Sequence, residues 1–166
     1  ILAILRGQAF EDAATSTDTP HKTPSRAGLL QMLRHTLSGD AHKQTAVFVI
    51  CFDDFRALSE RLGADRQADV RRRIIERLAA TLRADDMIVP LDGTRCAIAL
   101  NPVRLFDLEL AIQFAGRLQA ALEEPFSVDA SHLYVSASIG FCTQARMPRR
   151  DAEVFLDAAE RAGADA

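Results

Sequence analysis

The sequence predicts a single α/β domain of the α+β kind, with a central mixed sheet of about five strands and helices on both faces. Two observations carry this. Thr45 to Phe52 (TAVFVICF) is an unbroken apolar run rich in β-branched and aromatic residues, the pattern of a central strand covered on both sides. Around it, segments with apolar residues every three or four positions alternate with short strands closed by turn residues, in the order α-β-α-α-β-β-α-β-β-α. A chain of 166 residues, 48% of them hydrophobic, suits one core and little more.

Ile1 to Leu5 reads as the tail of an upstream element, such as a signalling helix of a longer protein. Residues 11–24 (EDAATSTDTPHKTP) are polar, carry two prolines and read as a linker. Ser25 can cap a helix in which Leu29, Leu33 and Leu37 recur every four residues and Gly39 ends the run. After the central strand, Phe55, Leu58 and Leu62 share one face of a short helix closed by Gly63. A long helix follows over roughly 65–84, with Val70, Ile74, Leu78 and Leu82 inward and Ile75 alongside. Met87 to Leu91 and Arg95 to Leu100 read as strands joined by Asp92-Gly93-Thr94, and an Asp-Gly pair is a strong hairpin signal. A helix is expected over about 104–123. Phe126 to Val128 and Leu133 to Phe141 then read as a second strand pair around Asp129-Ala130-Ser131, and a last helix starts near Asp151.

The charge pattern excludes several functions. A net charge of −3 and a pI near 5.8 argue against nucleic acid or an anionic membrane as partner. Arg71-Arg72-Arg73 lies among Asp65, Asp69 and Glu76 and reads as a solvated helix face. No apolar run reaches membrane-spanning length, and no segment has signal-peptide anatomy. Cys51, Cys96 and Cys142 lack ligand spacing and read as buried strand thiols in a reducing cytoplasm. The four histidines are scattered, and no nucleophile constellation is present in the pattern.

Several segments, taken in order, resemble the GGDEF domains of diguanylate cyclases. They are Phe52-Asp53-Asp54-Phe55-Arg56 with Leu62-Gly63, the Asp-Gly hairpin about thirty residues later, and Val135-Ser136-Ala137-Ser138-Ile139-Gly140. Asp18, Pro24 and Arg26 fall where that family carries its Asp-x-Leu-Thr-Gly-Leu-Pro-Asn-Arg opening. The resemblance covers about residues 18–162 and implies the nucleotidyl cyclase and polymerase palm type of fold. It divides the chain into 1–17, a linker or the end of an upstream signalling helix, and 18–166, a degenerate GGDEF domain. Glu124-Pro125-Phe126-Ser127-Val128 looks most like GGDEF domains fused to an EAL phosphodiesterase domain.

A diguanylate cyclase joins two GTP molecules, one on each protomer of a dimer, by attack of a 3′-hydroxyl on an α-phosphate. Carboxylates hold metal ions that acidify the hydroxyl and neutralise developing charge. The resemblance places a metal-binding Asp at the end of the first strand, and two acids at the third and fourth positions of Gly-Gly-Asp-Glu-Phe. Here the strand end is Cys51 and the signature reads Asp92-Gly93-Thr94-Arg95-Cys96. A thiol is a poor ligand for Mg²⁺, Thr94 is neutral, and Arg95 puts a cation where cations should bind. Asp92 stands at the first glycine and crowds the phosphates. Ser59 and Ala68 replace the Asn and Asp that read guanine edges, which removes most of the site's discrimination. Arg56 keeps a cation at the phosphate-contacting lysine position, and reads equally well as a surface arginine after a strand.

Arg83-Ala84-Asp85-Asp86 keeps the spacing of the family's inhibitory product site, Arg-x-x-Asp, five residues before the signature. Arg83 and Asp86 are the candidate ligand contacts there. The plainer reading is an arginine complementing a helix dipole, followed by an ordinary aspartate turn.

The resulting expectation is a catalytically inactive module of cyclic di-GMP signalling, cytoplasmic, with a parent protein open to membrane anchorage elsewhere. It binds no metal and needs no cofactor, unlike the Mg²⁺-dependent active members. Its expected partners are a neighbouring signalling domain, an EAL domain among the candidates, a second copy in a homodimer, and cyclic di-GMP or GTP. Two alternatives stay open: a weakly active cyclase using an altered metal site, and a dimerisation or interaction domain that binds no nucleotide.

Overall fold

The computed structural model of the chain describes residues 25–40, 42–53, 55, 63–128 and 131–165. The expected upstream tail and linker, and the body of the short helix after Phe55, lie outside them. The elements are α1 (Arg26–Ser38), β1 (Ala46–Phe52), α2 (Ala64–Ala79), β2 (Met87–Pro90), β3 (Arg95–Ala99), α3 (Leu108–Glu123), β4 (Phe126–Val128), β5 (Ser131–Leu133), β6 (Ala137–Thr143) and α4 (Ala152–Ala164). A 3₁₀ turn, Gln144–Arg146, precedes α4.

The apolar run places β1 at the centre of a sheet in the order β2-β3-β1-β6. Its side chains alternate between two layers, as the period of a strand requires. Phe48 and Ile50 face α2 and α3, joining Ile74 and Leu78 of the former and Phe114 and Leu118 of the latter. The Phe48 and Phe114 rings meet at 4.9 Å, tilted by 59°. Val47 and Val49 face α1 and α4, against Leu29, Leu33, Phe155 and Leu156. Each fully buried side chain of this size contributes roughly 1.5–3 kcal/mol. The α+β class and the helices on both faces match the expectation.

The sheet differs in two details. Among the described residues it has four strands rather than about five, and every neighbouring pair is antiparallel rather than mixed. The run Leu133 to Phe141 also divides. Its start belongs to β5, which pairs with β4 in a separate small hairpin, while β6 pairs along the whole of β1. The free edge of β1 offers seven ladder positions to β6, far more than the three-residue hairpin offers.

The first helix ends as its capping residues predict: Ser25 Oγ accepts the Gly28 N–H at 3.2 Å, and the Gly39 N–H closes onto Thr36 O at 3.1 Å. Two others are shorter than their patterns. Helix α2 stops at Ala79 because the Asp86 carboxylate takes the Arg83 N–H at 2.9 Å, which draws the chain into a turn. Helix α3 starts at Leu108 because Val103 is held in a bridge to Gln44 and Asp107 caps the Leu110 N–H. Arg77 joins the two helices: its guanidinium lies 3.7 Å over the Phe126 ring and donates to the carbonyls of Ala121, Glu124 and Pro125, capping the end of α3. Helix α4 sits directly on β6. A Cβ on Gly140 would lie 1.9 Å from the Gly163 nitrogen, so only glycine lets the two backbones approach.

Candidate functional site

The end of β1 and the turn between β2 and β3 come together as the hairpin pattern requires. Cys51 lies opposite Arg95 on one side and Ser138 on the other, and the Phe52 N–H donates to Thr94 O at 2.8 Å. Cys51, Thr94 and Arg95 are therefore neighbours at one place in the fold.

That site is closed by its own charges. Asp92 Oδ1 accepts from the Thr94 N–H at 2.8 Å and the Thr94 hydroxyl at 2.9 Å. Its Oδ2 takes a fork from Arg95, with Nε at 2.8 Å and Nη2 at 2.7 Å. Arg95 Nη1 also reaches Glu160 Oε2 of α4 at 3.5 Å, and Glu160 Oε1 takes Arg26 Nη1 of α1 at 2.8 Å. Arg26 in turn stands 3.8 Å from Asp157. The signature turn is thus tied to the two helices that cover one face of the sheet.

The titration behaviour follows from this packing. Burial alone would raise the Asp92 carboxyl, but hydrogen bonds from the Thr94 backbone and the Arg95 guanidinium outweigh it and hold the group below the usual carboxylate range. Burial pushes the Cys51 thiol up, against the opposing pull of Arg95. A thiol that stays protonated at neutral pH is not a ligand for a hard cation. Among the described residues Asp53 is the remaining acid at the strand end, and Ser138 Oγ donates to its Oδ1 at 3.3 Å. Among the described residues no group of three or more His, Cys, Asp or Glu side chains could hold a metal.

The base-reading positions are only partly described. Ala68 is exposed on α2, while Ser59 and the phosphate-position Arg56 lie outside the described residues. What the charge pattern missed is Arg71, which is not part of a solvated face. Arg72 and Arg73 pair with Asp69 and Glu76, as surface charges do. Arg71 instead lies 5.5 Å over the Phe55 ring and against Gly93. The signal was available: Arg71, Ile74, Ile75 and Leu78 fall at i, i+3, i+4 and i+7, so the arginine heads the apolar stripe.

The side chains of Arg83 and Asp86 are not paired with each other. Asp86 is only 4% exposed, and both its oxygens accept backbone N–H groups, from Arg83 at 2.9 Å and Asn101 at 2.8 Å. It is the post that fixes the turn before β2. The Arg83 side chain is exposed and has no hydrogen bond or ion pair among the described residues. Both residues line a cavity of about 260 Å³, floored by Leu100, Phe106 and Phe114 and flanked by Arg117. Arg117 Nη2 donates to Thr81 O at 2.9 Å.

Comparison with known proteins gives a consistent result. The family described as diguanylate cyclase, GGDEF domain, matches residues 15–166. The diguanylate cyclase TpbB of Pseudomonas aeruginosa is 30% identical over 139 residues, which is 83% of this chain and 31% of that protein. The chain therefore spans about a third of this relative. A structure of the GGDEF domain alone of TpbB, from P. aeruginosa PAO1, superposes with a TM-score of 0.79 at 27% identity, covering 86% of this chain and 83% of that one. A sensory box/GGDEF family protein from Caulobacter crescentus CB15 gives 0.75 at 22% identity, covering 86% and 91%, and shows the shared fold.

Proposed function

Because the chain belongs to the GGDEF family of diguanylate cyclase domains, we propose that it serves cyclic di-GMP signalling as a catalytically silent regulatory module. The observation that carries this reading is Arg95. It stands opposite Cys51 at the strand end where the family holds its metal ions, and it is held there by Asp92 and Glu160. A unit positive charge repels another by about 4 kcal/mol at 4 Å in an effective dielectric near 20, and a divalent ion by more. The neutral Thr94 and protonated Cys51 supply no compensating ligand, so no metal and no cofactor belongs to this reading. Without metal ions, neither the 3′-hydroxyl nor the α-phosphate of GTP is activated.

The module acts on a neighbouring domain of a longer chain, with an EAL domain the first candidate, or through a homodimer. It works in the cytoplasm, where GTP is available. Nucleotide sensing enters through the cavity beside Arg83, whose guanidinium is free to meet a guanine edge or a phosphate, with Arg117 beside it. Asp86 supports that pocket from within rather than contacting the ligand. Incubation with GTP and Mg²⁺ or Mn²⁺ at high protein concentration, read by mass spectrometry, is expected to yield no cyclic di-GMP. Product above a no-enzyme control would overturn the silent reading and favour a weak cyclase.

A further inference from the structure

Resting on that reading, we infer that Arg71 is a built-in occupant of the purine slot, closing the site to a base independently of the lost metal ligands. Ala68, where the resemblance implies a guanine-reading acid, lies three residues before Arg71 and on the same face of α2. From that face the Arg71 guanidinium lies over the ring of Phe55, itself 1% exposed, with Cζ 5.5 Å from the ring centroid. A flat cation on an aromatic face takes the kind of position that a stacked base would take. Its Nη2 is 3.2 Å from where a Cβ on Gly93 would stand, so the group also touches the signature turn. The side chain therefore spans the gap from the base-reading helix to the turn around which the phosphates would lie.

Toward the signature turn, the void among Phe52, Arg71, Ile74, Pro90, Asp92 and Gly93 is about 10 Å³, room for a water at most. No hydrogen bond among the described residues explains the placement. Arg71 Nε is buried without an acceptor among the described residues, and both oxygens of nearby Asp92 are engaged by Thr94 and Arg95. What holds Arg71 is the fit of its stem and guanidinium between Phe55, the apolar stripe of α2 and the glycine of the turn. Restoring the carboxylates alone would leave the slot full.

Guanosine is the probe that separates this from catalysis, since it carries no phosphate and needs no metal. Three variants are compared with the unmodified protein by ligand-observed NMR: Ala68→Asp, Arg71→Leu, and the two together. The unmodified protein and Ala68→Asp are expected to show no saturable binding at millimolar guanosine. The double variant is expected to bind at least about tenfold tighter than Ala68→Asp, as a recovered charged hydrogen bond in an open slot allows. Equal binding by Ala68→Asp and the double variant would overturn the inference. If removing Arg71 unfolds the domain in a thermal melt, the Arg71 Nε–H resonance of the unmodified protein decides. It should exchange slowly with water and stay unmoved by millimolar GTP, whereas a GTP-dependent shift would sink the idea. Failure on guanosine leaves the silent-module reading standing, because that reading rests on the metal ligands.

Discussion

The two turns that flank β2 each pair an arginine with an aspartate, and they treat the pair in opposite ways. In the turn after β2, Asp92 and Arg95 face each other at 2.7 Å and neutralise one another near the surface. In the turn before β2, Asp86 points inward and accepts two backbone N–H groups, so Arg83, beside a cavity, keeps a guanidinium unpaired among the described residues. A carboxylate that meets backbone donors becomes part of the scaffold and leaves its arginine exposed. A carboxylate that meets its arginine neutralises it. Motif spacing alone does not distinguish the two outcomes.

The contrast is broken most strongly at the carboxylates. Asp86→Ala is expected to cost about 3 kcal/mol in urea unfolding, since two inward-facing N–H groups lose a charged acceptor. Asp92→Ala, whose side chain is 40% exposed, should cost well under half of that. Equal losses would show that the two turns are not different in kind. Next in size is ligand recognition: calorimetry should show cyclic di-GMP binding weakened at least about tenfold by Arg83→Ala and little changed by Arg95→Ala, matching the loss of one charged contact. Absence of any binding to the unmodified protein would remove the sensing role and favour a pure interaction domain.

The smallest effect is on pH. The Asp92 carboxyl is depressed in the folded state, so its contribution to stability is present above the ordinary carboxylate pKa, about 3.9, and is lost as pH falls through the lower folded value. The stability difference between the unmodified protein and Asp92→Asn should therefore shrink below about pH 4. A difference that is constant with pH would mean that the Arg95 fork does not stabilise the charged form.

Much of the scaffold is legible from local pattern. Ser25 and Gly39 mark the ends of α1, and Thr45 to Phe52 marks the central strand, because capping and burial on both faces act over a few residues. The chemical content of the signature is equally local, since Cys51, Thr94 and Arg95 can be read without coordinates. The early end of α2 is less legible: Asp86, seven residues beyond Ala79, draws the chain away from the helix. The separation of β5 from β6 depends on an edge of β1 some ninety residues before β6.

The sequence by itself determined the fold class and both helix-covered faces, because each depends on residue type and short spacing. Only the tertiary structure decided what the charges do. Glu160 lies 65 residues from Arg95 and 134 from Arg26, yet it joins the two. Arg71 leaves a run of three arginines to lie over the Phe55 ring, while its neighbours pair on the surface. A long charged side chain has several partners within reach, and the choice among them is set by which packed surfaces the fold brings alongside.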